Sequence, residues 1–347
     1  MITPEKHGRA LPRFSTESSS PVRLPPGRTV GAVIGVQVSP DGHIWVLHLA
    51  RHMDWGPPGS TNDPAARLPP VVEFDAEGNF LQAWGGPDHL PIIDGNPQWP
   101  HNEETIAFDA EGTLWVFGAN VGYDHAVQRF TRDGKLLLRI GQFGKTGGDE
   151  SHDLLGCPTD AYHDVARREV YITDGYVNHR VAVFDSDTGA FLRAWGAYAK
   201  TAPFAKSGPE TFANPVHAIS LGPEGHLYVC DRINSRIQVF DAIGRVQPRF
   251  VRELELKVDC PYGSTFNVAF SPDGAFMFIG DGSNSRVWTV DLAAWQFVDS
   301  FQPANSEGAD LSATIHKITS DGAGNLILGR CARGVERLRF EGVTTTD

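Results

Sequence analysis

DGYVNHRVAVFDSDTGAFLRAWG, residues 174–196, decides the fold. A polar turn leads into the alternating strand Val181-Ala182-Val183-Phe184. A second turn at Asp185–Gly189 follows, then the strand Phe191-Leu192-Arg193-Ala194-Trp195, which Gly196 stops. Period-two alternation between Asp/Gly turns is the signature of a β-hairpin. The unit returns as DRINSRIQVFDAIG at 231–244 and as DGSNSRVWTVD at 281–291. In each copy an Asn stands two residues before an Arg: Asn178/Arg180, Asn234/Arg236 and Asn284/Arg286. Such recurrence marks a repeat architecture.

Working outward, an earlier hairpin turn precedes each unit, at Pro40-Asp41-Gly42, Ala110-Glu111-Gly112, Ala166-Arg167-Arg168, Pro223-Glu224-Gly225, Pro272-Asp273-Gly274 and Gly322-Ala323-Gly324. The spacings are 70, 56, 57, 49 and 50 residues. Second hairpins include FDAEGNFLQAWG at 74–85 and FTRDGKLLLRIG at 130–141. Four strands repeated six times predict an all-β, six-bladed β-propeller spanning residues 21–347, after a loose leader over 1–20. The last unit lacks its outermost strand. An N-terminal strand near Pro21–Val30 is expected to supply it and close the ring.

Composition narrows the function. The 347 residues are 41% apolar, with 37 Gly and 24 Pro, which suits a large β-rich core. A net charge of −12 argues against nucleic acid or an acidic membrane as partner. No stretch has the length and apolarity of a signal peptide or membrane span, so a soluble, cytoplasmic protein is expected. Cys157, Cys230, Cys260 and Cys331 form no C-x-x-C pair and read as free thiols.

The first strand of each blade lines the central channel. Counting eight residues back from the third turn residue selects Ile34, Glu104, Asp160, His217, Phe266 and His316. Glu104, His217 and His316 come from alternate blades, ~120° apart in a six-fold ring, and suit a metal on the axis with open positions. His101 replaces Glu104 if its strand carries an insertion. Four residues before the repeat Arg stand Tyr176, Arg232 and Gly282 on neighbouring blades. A phenol can exchange a proton there and a guanidinium can hold an anion. Arg51, after the second strand of blade one, reaches toward the same mouth. The repeat Asn and Arg residues read as structural hydrogen bonders.

These units resemble NHL repeats. The order PTD…TDGYVNHRV…NPVHAISL…CDRINSRIQVF, from Pro158 to Phe240, is similar to the peptidyl-α-hydroxyglycine α-amidating lyase family. That resemblance implies a six-bladed propeller with a catalytic zinc on three histidines, a catalytic tyrosine and arginines. By motif the tyrosine falls on Tyr176, two zinc histidines on His217 and His316, and one arginine on Arg232. Arg51 is an approximate stand-in for another arginine. The remaining histidine matches Pro100-His101 by letters, whereas repeat register selects Glu104. Register is favoured, because a three-residue slip reverses the facing of a strand. The family's calcium-binding Asp is Lys317 here, so no calcium is expected there. Its disulfide positions fall on Val177, Tyr228 and Val239, in keeping with a reducing compartment.

The sequence therefore predicts a metal-dependent lyase acting on a small, anionic, hydroxylated substrate. Zinc is expected first; iron, manganese and cobalt also suit a two-histidine, one-carboxylate set. A metal-dependent hydrolase such as a lactonase, and a non-catalytic binding platform, are the rival readings.

Overall fold

We analysed a computed structural model describing residues 10–17, 19–51, 56–57, 59–61, 63–204, 207–258, 262–304 and 313–345. Among these, twenty-four strands form six antiparallel sheets of four. The chain is a nearly all-β, six-bladed propeller. The inner strands are β2 (Val33–Val38), β6 (Glu103–Phe108), β10 (Pro158–Asp164), β14 (Val216–Leu221), β18 (Thr265–Phe270) and β22 (Ile315–Ser320). Each touches its two neighbours in that order, and β22 touches β2, so the ring is closed.

Alternating apolar residues of adjacent blades fill the seams between them. Trp45, Ile106, Trp99 and Phe130 pack between blades one and two, and Tyr171, Trp195, Val229 and Phe240 between three and four. Three cysteines among the described residues, Cys157, Cys230 and Cys331, are free thiols; Cys260 lies outside those residues. No helix of the described residues is long and apolar enough to cross a membrane.

An N-terminal strand does close the ring, but it is not residues 21–30. It is β1 (Ala10–Thr16), paired antiparallel with the outermost C-terminal strand β24 (Gly334–Thr345) from Ala10↔Thr345 to Thr16↔Leu338. The expected leader over 1–20 therefore contains a structural strand. Residues 21–30 cannot replace it, because Pro21, Pro25 and Pro26 lack the N–H groups a ladder needs. They return the chain from the outer edge to β2, joined to blade one by isolated bridges such as Arg23↔Asn79 and Thr29↔Arg67 and by Val22, Leu24 and Val30 packing on Val46, Val72 and Phe74.

The repeat motif has a clear structural job. In blade three the Asp174 carboxylate accepts hydrogen bonds from Asn178 Nδ2 at 2.8 Å and Arg180 Nε at 2.9 Å. The Arg180 guanidinium then donates to the carbonyls of Asp149, Ser151 and Leu154, pinning the loop that enters the blade. Blade four repeats this with Asp231, Asn234 and Arg236, whose guanidinium holds the carbonyls of Pro209 and Thr211.

Candidate metal centre at the propeller mouth

Every inner strand carries a bulge at its channel end, and these bulges create the site. In blade four Val216 pairs with Asp231 and Ala218 with Cys230, so His217 is left out of the ladder and turns into the channel. The same irregularity frees His316 in blade six, Phe266 in blade five, Ile34 in blade one and the Glu104–Thr105 pair in blade two. A bulge re-aims a side chain without breaking the sheet around it.

Glu104, His217 and His316 thus meet on the axis, with ligand atoms all within 4.8 Å of one another. Glu104 Oε1 is 3.3 Å from His217 Nε2 and 3.6 Å from His316 Nε2. Each imidazole is oriented by the next blade: His217 Nδ1 bonds the Phe266 carbonyl and His316 Nδ1 the Ile34 carbonyl, both at 2.7 Å. A carbonyl can only accept, so Nδ1 carries the proton and the Nε2 lone pair faces the carboxylate. Burial pushes the His217 imidazole well below its ordinary range and His316 down to about 4, so both are neutral at pH 7. His217 Nε2 is buried with no hydrogen-bond partner. Neutral imidazoles held by carbonyls, an orphaned nitrogen and one carboxylate form a donor set that fits a divalent transition metal.

Tyr176 and Arg232 stand at the rim of this cluster. The Tyr176 hydroxyl donates to Glu104 Oε1 at 3.1 Å. Burial, then the neighbouring Glu104 charge, pushes the phenol well above its usual range, while Arg232 opposes that shift. The Arg232 guanidinium lies over the Phe266 ring, 4.2 Å from its centroid, and its Nε donates to the Tyr262 carbonyl at 3.0 Å. Its terminal nitrogens make no hydrogen bond among the described residues, so the half-buried fork is available to an anion. The matched position in blade five has to be Gly282, since a Cβ there would meet the Phe266 ring at 2.6 Å.

Other predicted residues sit elsewhere. His101 is outside the cluster: its ring stacks on Tyr123 with centroids 3.7 Å apart, and its backbone N–H is held by Asp124 Oδ1. Arg51 is exposed on a turn beside blade two, where its charge acts on His101, Glu103 and Asp124. Asp160 does not share the layer of Glu104. Asp160 pairs with Thr173 and Thr159 is the bulged residue, because the blade-three hairpin has four loop residues between Asp164 and Glu169 where blade four has five between Leu221 and Leu227. Asp160 lies one layer deeper and meets Lys317 Nζ at 2.7 Å, both side chains being buried. Blades three and six are opposite, so this pair spans the channel beneath the cluster.

Sequence reasoning missed the Phe266 and Ile34 carbonyls, since backbone groups leave no letter. It named Asp160 and Lys317 but not the deeper layer they form with Thr105 and Asn267, whose signal was that Asp160, Asn267 and Lys317 each follow a bulged residue.

A model of the NHL repeat matches residues 216–240, the first three strands of blade four, a stretch that carries His217 and Arg232. Mouse peptidyl-glycine alpha-amidating monooxygenase is 26% identical over 295 residues, covering 79% of this chain and 27% of that protein. Mouse NHL repeat-containing protein 3 is 27% identical over 231 residues, 63% of this chain and 57% of the relative. A probable peptidyl-alpha-hydroxyglycine alpha-amidating lyase of Caenorhabditis elegans is 25% identical over 227 residues, with 62% and 57% covered. The chain thus spans about a quarter of the length of the amidating monooxygenases it matches. Among solved structures, a streptogramin B lyase superposes with a TM-score of 0.55 at 11% identity, covering 94% of this chain and 98% of that one. Virginiamycin B lyase from Staphylococcus aureus gives 0.52 at 13% identity, with 96% and 90% covered. These likenesses make the chain similar to NHL-repeat proteins and to the amidating enzymes; the structural matches speak to the propeller fold alone.

Proposed function

We propose that this protein is a metal-dependent lyase that cleaves a small carboxylate-bearing carbinolamide into an amide and an aldehyde acid. The observation that carries the reading is the channel cluster of Glu104, His217 and His316 with both Nε2 lone pairs turned inward. The chain's likeness to a protein named as a probable peptidyl-alpha-hydroxyglycine alpha-amidating lyase supports the same substrate class.

Glu104, His217 and His316 would hold the metal, zinc first, which supplies Lewis acidity to the substrate's hydroxyl oxygen. In the reaction the hydroxyl loses its proton, its C–O bond becomes C=O, and the C–N bond breaks with the electron pair and a proton going to nitrogen. The step is redox-neutral and consumes no co-reactant. Tyr176, whose Oη already holds a proton against Glu104 Oε1, is placed to hold or move the transferred proton. Arg232 anchors the carboxylate through its terminal nitrogens. Beneath them, the Lys317 ammonium supplies the positive charge of the deeper layer, so the protein works without calcium there.

The test uses protein purified without chelator. Elemental analysis should find about one transition metal per chain, and N-benzoyl-α-hydroxyglycine should yield benzamide and glyoxylate. Loss of metal in Glu104→Ala but not in His101→Ala is expected; the reverse would overturn the assignment of Glu104. Bound metal with lactone hydrolysis and no glyoxylate would move the function to a hydrolase. A protein without metal would be a binding platform.

A further inference from the structure

Among the described residues, three buried polar atoms of the channel have no hydrogen-bond partner: Thr105 Oγ1, Asn267 Nδ2 and His217 Nε2. All three residues line one cavity of about 10 Å³, together with Glu104, His316 and Lys317. The cavity lies between the cluster layer above and the Lys317–Asp160 pair below. One orphaned group in a core is a local cost, but three around a single void share a cause.

The chemistry of the walls identifies the occupant. The volume suits one water-sized oxygen and nothing larger. The lower wall is donor-rich: Lys317 Nζ spends one of its three N–H groups on Asp160, the Asn267 amide offers Nδ2, and Thr105 offers a hydroxyl. Asn267 Oδ1 is already used by the Ile318 N–H, which fixes the amide with its nitrogen toward the void. The upper wall presents acceptors, the His217 Nε2 lone pair and the Glu104 carboxylate. A water between them accepts from below and donates above, satisfying every orphan at once.

We propose that Thr105, Asn267 and Lys317 form a floor that holds one water oxygen against the inner side of Glu104, His217 and His316. Resting on the metal reading above, a metal bound by Glu104, His217 and His316 would replace the two hydrogen bonds the water gives them in the metal-free protein, and the water would turn a lone pair toward it, leaving substrate to approach from the mouth. Thr105, Asn267 and Lys317 are positioning residues in this scheme.

The first experiment is independent of the metal. A crystal structure of the metal-free protein, at a resolution that shows ordered water, should place an oxygen within hydrogen-bond distance of Thr105 Oγ1 and Asn267 Nδ2. A cavity without density there overturns the proposal, whatever the metal content. The second loads cobalt(II) and compares visible spectra of the wild type, Thr105→Val/Asn267→Leu and Thr105→Ser. Losing the floor oxygen lowers the coordination number, so the bands of the double variant should intensify several-fold while Thr105→Ser keeps the wild-type spectrum. Identical spectra in wild type and double variant would also overturn it. If cobalt fails to bind the wild type, the metal reading falls while the metal-free density still decides the floor.

Discussion

In the proposed reaction Tyr176 would move a proton and Arg232 would hold an anion, so their variants should separate. Tyr176→Phe removes the proton held at Glu104 Oε1 but no metal ligand. Steady-state assays should show kcat lowered about 10²–10⁴-fold with metal content unchanged. Arg232→Lys keeps the charge and loses the planar fork, so KM should rise about 10- to 100-fold with a smaller change in kcat. An unchanged KM would remove Arg232 from anion binding. His48 offers a stability test away from the metal. The Gly31 N–H donates to its Nδ1 at 3.0 Å, so Nε2–H faces the Pro69 carbonyl, and burial pushes the imidazole down to about 4. The unfolded chain's histidine titrates near 6.5 and takes up its proton first as pH falls. Stability present above pH 6.5 is therefore lost on acidification toward pH 4, by about 3 kcal/mol for this group. Urea denaturation at pH 7 and pH 5 should show the loss, and His48→Gln should flatten it. At this scale the sequence located the side chains that meet on the axis. Glu104, His217, His316, Tyr176 and Arg232 came from repeat register, because five blades share one hairpin geometry near the turn. Asp160 slipped by one residue because blade three has a shorter loop closed by Arg168, with φ 54°, where other blades have Gly.

At the scale of the element, the Asp–Arg bracket pins the entering loops of blades three and four, the blades that carry Tyr176 and His217. Asp231 and Arg236 are both buried, and Arg236 Nε lies 2.7 Å from the carboxylate. Breaking such a pair leaves an uncompensated buried charge, so Arg236→Leu should destabilise the fold by about 3–5 kcal/mol. Urea titration reads this directly, and a loss under about 1 kcal/mol would place Arg236 with exposed, weakly coupled pairs. The Asn-x-Arg pattern announced these brackets. The inner-strand bulges were not legible, since no residue type marks them: Ile, Glu, Thr, His and Phe all occupy bulged positions. A bulge here is imposed by packing six strand ends around a narrow axis, and one sequence shows only its consequence.

The whole molecule depends on a closure made by the two ends of the chain. Alternation in Leu11 to Phe14 is too brief to be read as a strand, which is why the sequence placed the closing strand farther along. What fixes it is tertiary: Leu11 is fully buried, and Phe14 packs on Phe278, Phe301 and Phe340 with centroids 5.3, 5.6 and 5.9 Å away. Deleting residues 1–17 removes that cluster and exposes the edge of β24, twelve residues long. Two consequences follow in opposite observables. The melting temperature should fall, since truncating buried Leu or Phe costs about 2–5 kcal/mol each. The truncated protein should also self-associate, because an unpaired edge recruits another strand. A synthetic peptide of residues 8–18 should bind the truncated protein, raise its melting temperature in proportion to concentration and suppress association. Light scattering and thermal melts with and without peptide measure both effects. A truncated chain that stays monomeric and melts with the full-length protein would show that the ring is held by its inner strands alone, with β1 a dispensable addition.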